Sequence, residues 1–137
     1  MPTYSSIMPS MPENNLYEYA VVRYVPDEER GEFVNIGLIM MCKRRNWLRL
    51  AICLPAKRLE AYRCPHTHDE IMAQLQGISR VADMTVKTGP FADYRAEERF
   101  RWLTAWKSAC LQTSRPHPGT TTDLATTFDR LFTTLVL

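Results

Sequence analysis

The hydrophobic pattern is strongest between residues 17 and 42, YEYAVVRYVPDEERGEFVNIGLIMMC, where two apolar runs flank a charged, glycine-containing connection. Tyr17 to Val25 and Phe33 to Met41 are dense in aromatic and β-branched residues, and Pro26 to Glu32 supplies the breakers, so a β-hairpin is predicted. With Val25 opposite Phe33, Tyr24 pairs with Val34, Val22 with Ile36 and Ala20 with Leu38. All of these share one apolar face because side chains alternate with a period of two. The other face then holds Tyr19, Val21, Arg23, Asn35, Gly37 and Ile39, which sets Arg23 across from Asn35 and leaves bare backbone at Gly37. A slip of one residue would exchange the two faces.

The remaining pattern fills out an α+β domain. Trp47 to Leu54 alternates as a third strand after the polar turn Lys43 to Asn46, giving an antiparallel meander. Ala56 to Arg63 is predicted as a short helix behind Pro55. Thr67 and Glu70 form a capping box that starts a helix with Ile71, Leu75, Ile78 and Ala82 as its apolar stripe. Thr85 to Tyr94 is a loop, and Ala96 to Ala105 a helix with Phe100 and Leu103 on one face and Arg99 and Arg101 flanking it. Residues 107 to 113 fit a continuation of that helix or a strand bearing Ser108, Cys110 and Gln112; the strand is preferred. Ser114 to Thr122 is expected to be a loop, because Pro116 and Pro118 remove donors and fix the backbone. Asp123 can cap a last helix carrying Leu124, Phe128, Leu131, Phe132 and Leu135. The predicted fold is α+β: a small antiparallel sheet of about three to four strands packed with about three to four helices. Residues 1–15, with three prolines and no periodicity, are expected to be a flexible tail, and residues 16–137 one domain.

Composition narrows the function classes. A chain of 137 residues can bury a core without a staple. The formal charge of +2 makes no demand for a nucleic acid or an anionic membrane. The basic stretch Lys43, Arg44, Arg45 and Arg49 could meet phosphate, but turns are commonly basic and solvated, so nucleic acid is not an expected partner. No apolar run approaches the ~20 residues that span a bilayer. The four cysteines, Cys42, Cys53, Cys64 and Cys110, lack a repeating spacing and suit buried thiols in a reducing cytoplasm.

Candidate chemistry is sparse. Cys64, His66 and His68 offer zinc-ligand types within five residues, but no second Cys-His pair at matching spacing completes a tetrahedral set. Ser108, His117 and Asp123 are the residue types of a hydrolytic triad, without a strained elbow at the serine. Glu28, Glu29 and Glu32 suit an exposed charged turn. No metal or cofactor is expected. Asn35 and Gly37 suit a bulge or a tight backbone approach, with Arg23 a solvated strand residue or an ion-pair partner for Glu18 or Glu32; the functional alternative is that Arg23 and Asn35 hold an anion or a partner's backbone where Gly37 permits approach. His117, stiffened between Pro116 and Pro118, is the most distinctive histidine.

The string YEYAVVRYVPDEERGEFVNIGLIM, with RFRWLT at 99 to 104 and HPG followed by an Asp at 117 to 123, resembles the bacterial domain-of-unknown-function family numbered 3037. The likeness covers most of the chain from Tyr17 onward, and the chain departs from the family's pattern at Trp106. The resemblance carries no activity with it, and implies a protein partner, a HipA-like kinase. Two functional expectations follow. The first is a protein-interaction or regulatory module, for which Tyr17, Tyr19, Trp102 and Trp106 are candidate exposed aromatics. The second is an enzyme or binder of an anionic small molecule that uses Arg23, Asn35, Arg99, Gln112 and His117, with Ser108 nearby. The second requires residues distant in sequence to converge in one concave site.

Overall fold

The computed structural model describes residues 14–62, 64–105, 108 and 110–137. The order of elements is β1 (Asn15–Asp27), β2 (Glu32–Cys42), β3 (Trp47–Ile52), α1 (Ala56–Glu60), α2 (His68–Ala82), α3 (Ala96–Ala105), β4 (Leu111–Thr113), β5 (His117–Thr121) and α4 (Leu124–Leu135). All strand pairs are antiparallel, in the order β3, β2, β1, β4, with β5 lying beside the first half of β1. The architecture is therefore α+β around an antiparallel sheet opened by the β1–β2 hairpin, whose tight connection uses Gly31 at φ 68°.

The predicted hairpin register holds only in mid-strand: toward the turn Asp27 pairs with Glu32, so Val25 and Pro26 stand against Phe33 alone, in place of the expected Val25–Phe33 pair. Arg23 pairs with Asn35 and Tyr24 with Val34, but Val22 then pairs with Gly37, Val21 with Leu38 and Ala20 with Ile39. One extra residue, Ile36, is inserted in β2, and its carbonyl accepts from Cys53 N–H at 2.7 Å. This β-bulge shifts the alternation by one. Val34 and Ile36 share a core with Tyr24, Val22 and Ala20, and beyond the bulge Ile39 and Met41 join them, while Leu38 and Met40 turn to the opposite face. The sequence expectation placed Leu38 and Ile39 the other way round.

Both sheet faces are covered. On one, α2 and α3 bury Ile71, Leu75, Ile78, Phe100 and Leu103 against the sheet. Burial of each such side chain stabilises by about 1.5–3 kcal/mol. Helix α2 begins with the expected reciprocal cap: Thr67 Oγ1 accepts from Glu70 N–H, and Glu70 accepts from Thr67 N–H. Helix α3 is tied to the β2–β3 turn, because Asn46, held at φ 49°, accepts from Ala96 N–H through Oδ1 at 2.8 Å. On the other face, Phe128 and Leu131 of α4, with Val136, pack on Tyr17, Leu38 and Met40. The amphipathic last helix thus closes a face expected to be mixed, and Tyr17, a candidate exposed aromatic, is buried there.

The 114–122 segment is not the expected loop. His117 to Thr121 pair with Tyr19 to Asn15. Pro118 is accommodated because β5 is an edge strand, where a missing donor faces no neighbour. Between β4 and β5 the chain breaks step at Ser114, whose backbone N–H donates to Val21 O and whose hydroxyl accepts from Val21 N–H, so a side chain stands in for one ladder bond. Among the described residues of 107 to 113, Leu111–Thr113 form strand; Trp106, Lys107 and Ala109 lie outside the described residues, as do Arg63 at the expected end of α1 and residues 1–13 of the expected tail.

Candidate functional site

Register places three polar residues in one row across three strands. Asn35 on β2 pairs with Arg23 on β1, and Arg23 pairs with Gln112 on β4. Directly paired residues point to the same face, here the one that α4 covers, so the three side chains neighbour one another where α4 ends. Asn35 Nδ2 donates to Leu135 O at 3.0 Å, and Arg58 of α1 donates to Val136 O, so the two satisfy carbonyls that the end of a helix leaves open. Gln112 Nε2 lies 3.5 Å from Glu28 Oε1. The Arg23 guanidinium sits 4.2 Å from the centre of the Phe33 ring, and Phe33 is 45% exposed. Asn35, Phe33 and Arg58 also line a depression of about 310 Å³ with Tyr62.

Two atoms in this row have no hydrogen-bond partner although both are buried: Arg23 Nε, a donor, and Asn35 Oδ1, an acceptor. The oxygen assignment follows from chemistry, since the amide nitrogen must face the Leu135 carbonyl. Buried polar groups are nearly always satisfied, and an unsatisfied one costs about 1–3 kcal/mol. A donor and an acceptor side by side match the C=O and N–H of an amide. They match a simple anion less well, because Asn35 Oδ1 and the Glu28 carboxylate would face its negative charge.

The other sequence candidates go elsewhere. His117 is on the same face, two strand positions beyond Val21, but its ring packs 5.2 Å from that of Tyr19. Gly37 serves the fold: a Cβ there would lie 3.0 Å from Ala51 O and 3.2 Å from Val22 Cβ, so the close approach is made by the chain's own sheet. Ser108 bonds Gln74 of α2 through its hydroxyl and accepts from Leu111 N–H at 3.0 Å, which makes it the turn before β4. Arg99 does not flank α3 but is 1% exposed, on the opposite side of the sheet. Its five N–H groups face the carbonyls of Tyr94, Val81, Asp83, Phe91 and Ala92 at 2.6–3.4 Å. It is a structural clamp on the loop between α2 and α3.

Among the described residues, neither the Ser108, His117 and Asp123 set nor the Cys64, His66 and His68 set comes together as a site. Asp123 caps α4, accepting from Thr126 N–H, far from the turn that holds Ser108. Among the described residues no three of His, Cys, Asp and Glu group to hold a metal ion. The Cys64 to His66 segment is pinned to the sheet instead, with His66 Nδ1 3.1 Å from Tyr24 Oη. Burial, then the neighbouring Cys64, pushes the Tyr24 hydroxyl well above its ordinary range, so it stays protonated at neutral pH. Burial likewise raises the Cys110 thiol, against its side-chain hydrogen bonds with Gln74 and Ser108. A raised thiol is a poor nucleophile. Among the described residues no helix is long and apolar enough to cross a membrane.

Sequence reasoning found Arg23 and Asn35 through their pairing, but missed Phe33 and Arg58. Phe33 could have been found as the strand-end aromatic on the arginine's own face; nothing in the sequence marks Arg58. No curated protein and no solved structure matches the chain. A family model described as "Protein of unknown function (DUF3037)" matches residues 19–136, from the Tyr19 of β1 to the end of α4, and the chain belongs to that family.

Proposed function

We propose that this chain is a protein-interaction or regulatory module acting with a partner, and that the Asn35, Arg23, Gln112 row with Phe33 forms its contact. The observation that carries this is the buried, unpartnered donor and acceptor pair beside an exposed aromatic ring. Both atoms are buried, so an amide of a partner chain would reach them once the Phe33 ring and the Arg23 guanidinium stacked on it move aside, and its neighbours would then cover Phe33. Recovering two such hydrogen bonds suits a contact centre, where desolvated, well-paired groups dominate affinity. A HipA-like kinase is the candidate partner, on the family resemblance alone. The competing reading, an enzyme or anion binder using Arg23, Asn35, Arg99, Gln112 and His117, is weakened by Arg99, which faces the other core with every donor engaged.

Isothermal titration of the purified chain against a purified HipA-like kinase tests this, with Arg23→Met and Phe33→Ala as variants. Saturable binding that each variant weakens by about tenfold or more, at unchanged melting temperature, is expected. Binding indifferent to both variants would remove the row from the contact. Absence of binding would remove this kinase class as the partner.

A further inference from the structure

The two edges of the sheet are built differently. The β4–β5 edge is short and interrupted at Ser114, and carries Pro116 and Pro118, devices that discourage another strand from pairing. The β3 edge has none of them. Trp47 to Ile52 run unbroken along β2 without bulge or proline, and no described strand pairs their outer side. Alternate residues therefore present backbone N–H and C=O groups off the sheet.

A groove of about 520 Å³ runs beside this edge, with Leu48, Leu50 and Ile52 of β3 on one wall, Ser79 and Ala82 of α2 and the following Asp83, Met84 and Thr85 on the other, and Arg49 at its rim. On the opposite face of the same strand stands Arg49, exposed, its guanidinium 5.2 Å from the Trp47 ring and 5.6 Å from the Phe128 ring. Among the described residues Arg49 forms no ion pair with a carboxylate. A strand added to β3 would alternate between these two environments, with one set of side chains against Leu48, Leu50 and Ile52 in the groove and the other beside the Arg49 cation.

We infer that β3 is a strand-addition site for an extended segment of another protein, with apolar residues at alternate positions and an acidic residue between them. Main-chain hydrogen bonds supply affinity in this mode, and the alternating side-chain pockets supply selectivity. The occupant is not a second copy of the chain. Two β3 strands paired over their full length would bring both Arg49 side chains to one face, opposite or diagonal to each other, and like charges so placed repel. The site is separate from the Arg23 row, and its test does not depend on that contact.

Three synthetic peptides serve as probes: one alternating valine and glutamate, one alternating valine and lysine, and the glutamate peptide N-methylated at every second residue. Fluorescence anisotropy should show the glutamate peptide binding about tenfold or more tightly than either of the others, and Arg49→Glu should transfer the preference to the lysine peptide. Amide exchange followed by NMR should slow on alternate residues of 47–52. Equal binding of the N-methylated peptide, protection at His117–Thr121 instead, or no binding of any peptide would overturn the inference. Sedimentation as a dimer with β3 amides protected before any peptide is added would overturn the assigned occupant.

Discussion

Replacing Arg99 by lysine should unfold the domain at markedly lower denaturant, although the charge is kept. The guanidinium spends five N–H groups on five carbonyls that belong to the end of α2 and to the loop ahead of α3. An ammonium has three donors that diverge from one point, so at least two carbonyls lose their partner. Each buried carbonyl left unpaired costs about 1–3 kcal/mol. The loop side can recover part of this from water, whereas Val81 O, bonded to Arg99 in a buried setting, cannot. The expected loss is about 3 kcal/mol, or a fall in melting temperature of about 10 °C for a chain of this length. Urea titration followed by tryptophan fluorescence measures it, provided the denaturant slope is unchanged. A loss below about 1 kcal/mol would mean that the loop carbonyls are already hydrated, and would refute the clamp.

Two further outcomes follow from single contacts. Gly119→Ala should lower the melting temperature and loosen α4, because a Cβ there would lie 2.4 Å from Cζ and Oη of Tyr17, itself packed under that helix; near-ultraviolet circular dichroism of the tyrosines would register it, and an unchanged spectrum would count against it. The Asp123 carboxylate is held below its ordinary range, first by the backbone N–H of Thr126 and then by that residue's hydroxyl. A depressed folded-state value gives stability that is present above the unfolded value of about 3.9 and lost as pH falls through the folded one. Acidification from about pH 6 to about pH 3 should therefore cost the wild type more melting temperature than Asp123→Asn, which still caps but does not titrate; parallel curves would refute it.

The parts of this fold that depend on neighbours in sequence were legible, and the parts that depend on one inserted residue were not. The Thr67 and Glu70 cap, the α2 stripe and the Asp123 cap are all contacts within four residues, and each formed as the pattern predicted. The hairpin was legible as a hairpin and its register at Arg23 and Tyr24, yet Ile36 on one side and an extra residue before Asp27 on the other broke the alternation. Gly37 beside Asn35 did mark a bulge or a close backbone approach, and both are present there, but the alternation pattern was read straight through it. The fate of Leu38 and Ile39 followed from that insertion. The 114–122 segment failed for another reason: proline excludes a strand only where both sides are paired, and the edge position of β5 is a tertiary fact. At the candidate site, Arg23 beside Asn35 lay in the short stretch between the two irregularities. The depression they share with Arg58 depends on where α1 and α4 end, and no local pattern encodes that.

The contrast between the two arginines shows what structure adds to residue type. Arg23 and Arg99 are both partly or wholly buried, and the sequence offered both as ligand candidates. Arg99 lies where a helix end and a loop turn their carbonyls inward, so its charge is dispersed over acceptors that the fold itself had to satisfy; removing it damages stability. Arg23 lies on a strand whose own carbonyls are committed to β2 and β4, so the backbone offers its Nε nothing, and Oδ1 of Asn35, the residue paired across from it, is unpaired as well. A site that leaves both a donor and an acceptor unpaired gives up stability that a complementary surface would restore. Substitution at Arg23 should thus act on association and leave unfolding nearly unchanged, the reverse of substitution at Arg99. Finding the two effects exchanged would place the function of this domain on the opposite side of its sheet.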